Sequence, residues 1–452
     1  MATRIIDRIS KNDINMTEGT IWRHLLHFSI PMAIGLLFQQ LYNTVDTLVV
    51  GRFVGQQAQA AVGSTGPIIN TVVGFCAGLA GGASVVISQR YGAHDNKGLG
   101  KAVHTTIALT VLTSILATVV GQLIISPMLV FMNTPEDVFS DSHSYLSIYF
   151  AGIFGVLFYN IGSGILQAVG DSRRPLMFLI ISALLNTVLD LLFVLAFGLG
   201  VNGVAYATVL AQVLSAMLIL LTLSHEDSGY GIRWKEIRID HDSLVRILKI
   251  GLPSSIQSAI TAFSNVFVQS YINAFGSACM AGYGVYNKID AFALIPSQSI
   301  NLSSTTFVGQ NWGAKQTERA REGVRTAIVM SLTATAILAI IVFVFARQLM
   351  GFFSPVDEVI AYGVRFIRIV TPFYTLLCFT QIYAGALRGI GDATMPTVIM
   401  VASFVVFRQI YLAVSKALGA GFVAVALAYP VGWVLCSALL ILRYSRSSLV
   451  RS

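Results

Sequence analysis

Long stretches of this chain carry no charged side chain. Residues 107–125 and 326–345 each run on without Asp, Glu, Lys or Arg. A helix of about 18 such residues is long enough to cross the roughly 30 Å hydrocarbon core of a bilayer. Only helices and closed barrels cross bilayers, because each backbone polar group must be bonded internally. The runs are too long and too evenly apolar for the alternating strands of a barrel. The reading is therefore an all-α integral membrane protein. Composition closes off the soluble alternative: 55% of the 452 residues are hydrophobic and only 11% are charged, against about 25% charged in an ordinary soluble domain.

Twelve spans are expected, near 27–51, 61–88, 104–126, 145–169, 175–197, 202–223, 248–273, 280–307, 325–346, 362–387, 394–416 and 421–442. They follow a polar N-terminus with no cleavable signal peptide, in which 22–28 is expected to form a short interfacial helix. The connections test the count. One side of the membrane collects 22 Lys and Arg, the other only Arg52, Arg347 and Lys416, and the remaining four lie within spans. The positive-inside rule then places both termini of this multi-pass chain in the cytoplasm. The net charge of +8 is thus a membrane signature, and no nucleic-acid partner is expected. Cys76, Cys279, Cys378 and Cys436 stand far apart in apolar segments, as thiols that pack like small hydrophobes.

The chain repeats itself. Gln89-Arg90-Tyr91-Gly92-Ala93 recurs as Gln310-Asn311-Trp312-Gly313-Ala314, an offset of 221 (310 − 89). At the same offset Gly170-Asp171 and Pro175 match Gly391-Asp392 and Pro396, and Gly55 and Gly63 match Gly276 and Gly284. Six spans per repeat is an even number, so both halves enter from the same side, as parallel repeats related by an axis along the membrane normal. The expected organisation is an N-terminal cytoplasmic segment (1–24), an N-lobe (25–223), a cytoplasmic linker (224–247), a C-lobe (248–442) and a cytoplasmic tail (443–452). Two pseudo-symmetric six-helix lobes with a cleft between them suit alternating access.

These motifs, together with Val45-Asp46-Thr47, Val50-Gly51-Arg52 and the stretches 166–175 and 387–396, resemble the multidrug and toxic compound extrusion (MATE) family in its DinF/MepA-like bacterial branch. The resemblance covers essentially all of both halves. It implies a twelve-helix antiporter of a bacterial cytoplasmic (inner) membrane that exports small cationic or amphipathic compounds against H⁺ or Na⁺. No GxxxxGK[ST] motif occurs, which fits an ion-driven pump. No cofactor and no metal beyond a coupling Na⁺ are expected, nor any catalytic group, and the unit is expected to be a monomer in the bilayer.

Ionisable groups within spans are costly and usually functional. Asp46 lies deep in span 1. Asn186 and Asp190 lie on span 5 with the i, i+4 spacing that puts them on one face. With Thr208 on span 6 and Asn160 on span 4 they supply two carboxylates, a carboxamide oxygen and a hydroxyl, for a small cation or a shared proton. The alternative is structural hydrogen bonding between helices, a costly use of carboxylates but a routine one for neutral side chains such as Thr208 and Asn160. The family's N-lobe cation site resembles this set: Asp on helix 1, Asn-x-x-x-Asp on helix 5, Thr on helix 6. The second repeat departs from it, with Phe267 and Tyr411 at the positions matching Asp46 and Asp190; Gln257 and Gln381 are its nearest polar groups. Lys288 and Asp290 on span 8 and Arg408 on span 11 either pair, Asp290 with Arg408, or line the cleft. Pro31 and Pro253 start spans 1 and 7, as harmless first-turn prolines or as kinks; in the family the helix-1 proline is linked to bending. A lipid-linked precursor flippase of the same superfamily is the alternative within this fold. A channel is less favoured, because no filter-like re-entrant segment is visible.

Overall fold

The computed structural model describes residues 15–132 and 134–451. Arg4, Arg8 and Lys11, and most of the 1–24 segment, lie outside the described residues. Every regular element among those described is helical. The first half comprises α1 (Ile21–Val49), α2 (Gln56–Gly92), α3 (Asn96–Phe131), α4 (Glu136–Ala151), α5 (Ile153–Ala168), α6 (Arg173–Leu191) and α7 (Gly200–Ser224). The second comprises α8 (His241–Asn273), α9 (Ser277–Ala293), α10 (Ile295–Gly313), α11 (Thr317–Val344), α12 (Ala346–Phe353), α13 (Asp357–Val370), α14 (Tyr374–Gly389), α15 (Thr394–Val401), α16 (Arg408–Ala417), α17 (Phe422–Ser445) and α18 (Ser448–Arg451).

These elements make twelve membrane helices in two lobes. Among the described residues nine are long and apolar enough to cross a bilayer alone, and α4 with α5 makes a tenth, bent by 49°. The α8 helix and the α9–α10 pair complete the set. Their polar side chains, Gln257, Ser258 and Gln269 on α8 and Gln298, Asn301 and Ser303 on α10, make them less apolar than the rest. The breaks have local causes. Gly152 separates α4 from α5, and Pro296 and Pro372 stand at the α9–α10 and α13–α14 joints, where a missing N–H interrupts the ladder.

The sequence was not enough to place the start of the first helix. The segment 22–28 is no separate interfacial helix but the first two turns of α1. Pro31 and Pro253 consequently lie in the interiors of α1 and α8, past the first turn. Contacts divide the described residues into two compact units, one containing Ile34–Ser255, the other Met16–Ala33 with the chain from Ile256 onward. The division cuts α1 and α8 at Ala33/Ile34 and Ser255/Ile256, each cut following a proline by two or three residues.

The repeated motif near residues 89 and 310 accounts for this exchange. In the first unit Arg90 bonds Asp95 at 2.6 Å and Asp242, in the first turn of α8, at 3.2 Å. In the second, Gln310 Oε1 accepts from Met16 N at 3.1 Å and Asn311 Nδ2 donates to Met16 O at 3.1 Å. Each motif clamps the chain entering the other half's first helix. The repeats also share backbone that other residues resist: Gly170 and Gly391 have φ of +96° and +95°, and His94 and Lys315 have φ of +54° and +59°. One spacing differs. Pro31 to Gly55 is one residue longer than Pro253 to Gly276. The extra residue is taken up in a π-turn at Val50–Val54, where Gly55 N–H donates to Val50 O, five residues back, at 3.1 Å.

Apolar side chains gain little from leaving lipid, so membrane helices associate through close packing. In the first unit α2 meets the N-terminal part of α8 backbone to backbone. A Cβ on Gly78 would stand 2.3 Å from Ser255 N, and one on Gly82 2.4 Å from Gly251 N. The neighbouring Gly81 has nothing within 4 Å of its Cβ position. Gly82→Val is therefore expected to cost about 1–3 kcal/mol or more through overpacking, seen as a lower Tm in detergent, while Gly81→Val leaves the Tm unchanged.

Candidate cation site and cavity of the first unit

Four of the sequence candidates converge inside the first unit. Asp190 and Asn186, one turn apart on α6, are fully buried. Asp46, half-buried on α1, comes within hydrogen-bonding reach of the Asp190 carboxyl. The Asn186 amide lies between them. The surrounding network sets its orientation: Nδ2 donates to Asp46 Oδ1 at 2.9 Å and to Asp190 Oδ2 at 3.2 Å, and Oδ1 accepts from Thr208 N at 3.2 Å. Thr208 Oγ1 donates to Val204 O at 2.9 Å, which leaves its lone pairs available. Asp190 Oδ1 is buried without a hydrogen-bond partner.

The α1 and α6 carboxyls meet because α5 lets α7 come close. A Cβ on Gly155 of α5 would lie 2.9 Å from Val213 N of α7, and α7 in turn packs on α6 through the Ser182 Oγ–Ala211 O bond of 2.7 Å. A cavity of about 300 Å³ opens beside the cluster, lined by Asp46, Thr208, Asn160, Tyr42 and Gln212 among others. Asn160 borders this cavity; its Nδ2 donates to Val156 O at 2.8 Å, so it faces the cavity without joining the carboxyl cluster. Sequence reading missed Tyr42, whose hydroxyl lies within reach of both Asp46 and Thr208. It precedes Asp46 by four residues, the same helical spacing that singled out Asn186 and Asp190. In that orientation Asn186 turns its N–H₂ to the carboxyls and its oxygen to the Thr208 amide.

No basic side chain pairs with either carboxyl among the described residues. Two full charges about 4 Å apart repel by about 4 kcal/mol at an effective dielectric near 20. Two ionised carboxylates also cannot hydrogen-bond each other, so their approach calls for a shared proton or a bound cation.

The second unit holds the other candidates apart. Asp290 accepts from Tyr286 OH at 3.2 Å and from Tyr374 OH. Arg408 Nη2 donates to Ser264 Oγ at 3.0 Å and Asn265 Oδ1 at 2.9 Å, with its guanidinium 5.2 Å from the Tyr429 ring centroid. The expected Asp290–Arg408 ion pair is not formed, because tyrosine hydroxyls and α8 polar groups have taken both partners. Lys288 is exposed, its ammonium 6.0 Å from the Phe353 ring centroid. Lys288, Asp290 and Arg408 therefore make no joint cluster, and Pro31 sits on α1 fifteen positions before Asp46.

A polar cavity with buried carboxyls, enclosed by membrane helices, defines a polytopic membrane transporter. The MatE family model matches residues 31–192 and again 253–414, and the chain belongs to that family of multidrug transporters. The two matches are of equal length and start at Pro31 and Pro253, in keeping with the internal repeat. Among curated relatives, the "Probable multidrug resistance protein YoeA" of Bacillus subtilis (strain 168) is 29% identical over 392 residues, 85% of each chain. The "Probable multidrug resistance protein YpnP" of the same organism is 26% identical over 438 residues, 96% of this chain and 97% of the relative. A MOP superfamily transporter from Pyrococcus furiosus superposes with a TM-score of 0.92 at 24% identity, over 98% of this chain and 99% of that one, which shows the shared fold.

The Asn186 amide satisfies three groups at once. Asn186→Ala is expected to cost about 1–3 kcal/mol for each buried partner it leaves unbonded, seen as a reduced Tm of the detergent-solubilised protein. Asp46→Asn removes the carboxyl repulsion and is expected to hold or raise the Tm; a fall as large as that of Asn186→Ala would mean that the carboxyl is structural.

Proposed function

We propose that this transporter is a secondary active exporter in which small amphipathic or cationic compounds leave by antiport against H⁺ or Na⁺ through alternating access. The observation that carries the reading is the pair of carboxyls, buried Asp190 and half-buried Asp46, set beside a cavity with no basic partner among the described residues. Such a pair is stable only when it holds a proton or a cation, so its charge changes with ion binding. Asn186, Tyr42 and Thr208 position the pair, and Asn160 with the cavity wall contacts what enters. Two carboxyls with neutral oxygen groups beside them suit either H⁺ or Na⁺. Ion and substrate each shift the equilibrium between facing states only by their differential affinity. Both termini are assigned to the cytoplasm on the 22-to-3 distribution of basic residues, and the protein to the inner membrane on the family resemblance, with the monomer as the working unit.

Pro31 fits a hinge in this cycle. It lacks the N–H that would bond four residues back, and α1 passes from one compact unit to the other between Ala33 and Ile34. Neutralising Asp46 on the same helix is proposed to bend α1 there.

The test is efflux of a fluorescent cation from proteoliposomes under an imposed H⁺ gradient or an imposed Na⁺ gradient. Asp46→Asn and Asp190→Asn are expected to lower gradient-driven flux about 5- to 150-fold, the range that coupling free energies span. Unchanged flux in both variants removes the site assignment and leaves the family intact. Wild-type flux that follows neither gradient sinks the antiport reading. Pro31→Ala is expected to slow turnover without abolishing ion binding, and normal transport by that variant refutes the hinge.

A further inference from the structure

A second cavity, of about 460 Å³, lies in the first unit well away from the carboxyl cluster. The first turns of α3 and the segment 228–240, which joins the two halves, form its walls. Four basic side chains line it, Lys97, Lys101, Arg233 and Arg238, against two acids, Glu236 and Asp240. The acids are committed. Asp240 Oδ1 pairs with Lys101 Nζ at 3.0 Å, and Oδ2 accepts from Ser243 N and Oγ at 3.1 and 2.8 Å. The Lys101 ammonium and the Ser243 donors hold the Asp240 carboxyl down at about 2, so it stays ionised and Lys101 stays neutralised. Glu236 pairs with Arg233 at 3.4 Å. Lys97 and Arg238 make no ion pair among the described residues. The segment itself is fixed: Arg233 N donates to His104 Nε2 at 3.0 Å and Asp240 N to Thr105 Oγ1 at 2.9 Å. The cavity therefore presents an uncompensated positive charge on a braced wall, which suits a phosphate-class anion.

Its place on the membrane helices says which anion. At 100° per residue, Lys97, Lys101, Ala108, Leu112, Ile115 and Val119 fall in one sector of α3 about 60° wide. The lower half of that sector faces outward: Leu112, Ile115 and Val119 are 53%, 58% and 52% exposed. They lie in the charge-free run that spans the bilayer, so this is lipid-facing surface. The basic cavity thus stands directly above an acyl-chain track on the same helix face. Beside it Trp234 leaves more than half its surface exposed and donates from Nε1 to Ser224 Oγ at 3.1 Å, at the end of α7. Trp side chains are enriched at the headgroup level of a membrane.

The geometry points to a binding site for one anionic phospholipid, its phosphodiester headgroup seated between Lys97 and Arg238 and its acyl chain laid along Leu112, Ile115 and Val119. The lipid belongs to the leaflet on the basic face of the membrane. The site is separate from the carboxyl cluster and does not depend on which ion drives transport. A freely soluble phosphate would use the charges but not the apolar track below them.

The full-length chain in detergent is incubated with phosphatidylglycerol or phosphatidylcholine, and retained lipid is counted by native mass spectrometry. Wild type is expected to retain phosphatidylglycerol in preference. The double variant Lys97→Gln/Arg238→Gln is expected to weaken that binding about thirtyfold, the factor that two basic side chains near an anionic surface supply. The control Lys315→Gln/Arg446→Gln removes equal charge from the same membrane face and is expected to change it little. Equal losses in the two double variants would mean general surface attraction and overturn the site. So would wild-type binding in Lys97→Gln/Arg238→Gln. Displacement of the lipid by glycerol phosphate at matching concentration would assign the cavity to a soluble anion and overturn the lipid. On the unmodified chain, added salt is expected to erase the headgroup preference; a preference that survives high salt is a fourth refutation and needs no variant to fold.

Discussion

Everything in this molecule answers to one constraint: inside hydrocarbon no backbone N–H or C=O can turn to water. Helices are the direct consequence, and so is the manner in which they break. Among the described residues the ladder is interrupted at Gly152, Pro296 and Pro372, each with a local reason, and at Phe345 between α11 and α12, or is re-routed without loss. The π-turns at Val50–Val54, Leu192–Ala196 and Ala402–Phe407 keep each carbonyl bonded one residue further on. The same solvent removes the usual drive for apolar side chains to cluster, so stability falls to contact at short range. That is why Gly78, Gly82 and Gly155 stand where backbones approach most closely.

Against that background a charge is tolerated only where something compensates it, and the compensation differs from place to place. At the helix ends acids are paired with bases: Asp171 with Arg174, Arg174 with Glu226 at 3.3 Å, and Asp392 with Arg443. In the second unit Asp290 is answered by two tyrosine hydroxyls and Arg408 by α8 polar groups and an aromatic face. Asp46 and Asp190 alone among these acids have each other, an amide N–H₂ and an unbonded carboxyl oxygen. Pairs of the first kind are settled and hold helix ends in place. The last kind is unsettled by construction, since one proton or one cation more changes its energy by several kcal/mol (about 4 for two charges at 4 Å). An unsettled site is what a transport cycle needs, because a site satisfied equally in all states shifts nothing.

The fold was largely legible, and for a physical reason. The bilayer imposes length, apolarity and charge asymmetry on each span separately, so each leaves its own mark in local sequence. Asn186 and Asp190 were legible as a pair for a similar reason, the four-residue spacing on one helix. What local sequence does not carry is rotation of one helix against another. The sequence supplied Asp290 and Arg408 as opposite charges, but the α8 polar groups and Tyr374 reach them first. It supplied Asn186 as a polar group at the site, but which end of the amide faces the carboxyls depends on the Thr208 backbone of a different helix. Prolines 31 and 253 looked terminal because the hydropathy rises only there, whereas the helices begin about ten residues earlier in chain that the interface still tolerates.

The two halves have diverged unevenly, and the pattern of divergence separates support from chemistry. At the ends of the helices the repeats agree in backbone detail. His94 and Lys315 share a left-handed conformation, Gly170 and Gly391 share another, and the motifs at Gln89 and Gln310 each hold the incoming chain of the other half. These positions do a mechanical task that is the same in both units, and a change in one would leave an incoming segment unanchored. Within the membrane the correspondence fails: the single extra residue of the first repeat falls in the π-turn just after Asp46, so that Val268, one position past Phe267, stands where Asp46 stands, and Tyr411 stands where Asp190 stands. A π-turn rotates the downstream chain relative to the helix upstream of it. That rotation acts on the chain after Asp46, and the common scaffold carries an acidic pair in one unit and a tyrosine-bonded carboxyl in the other.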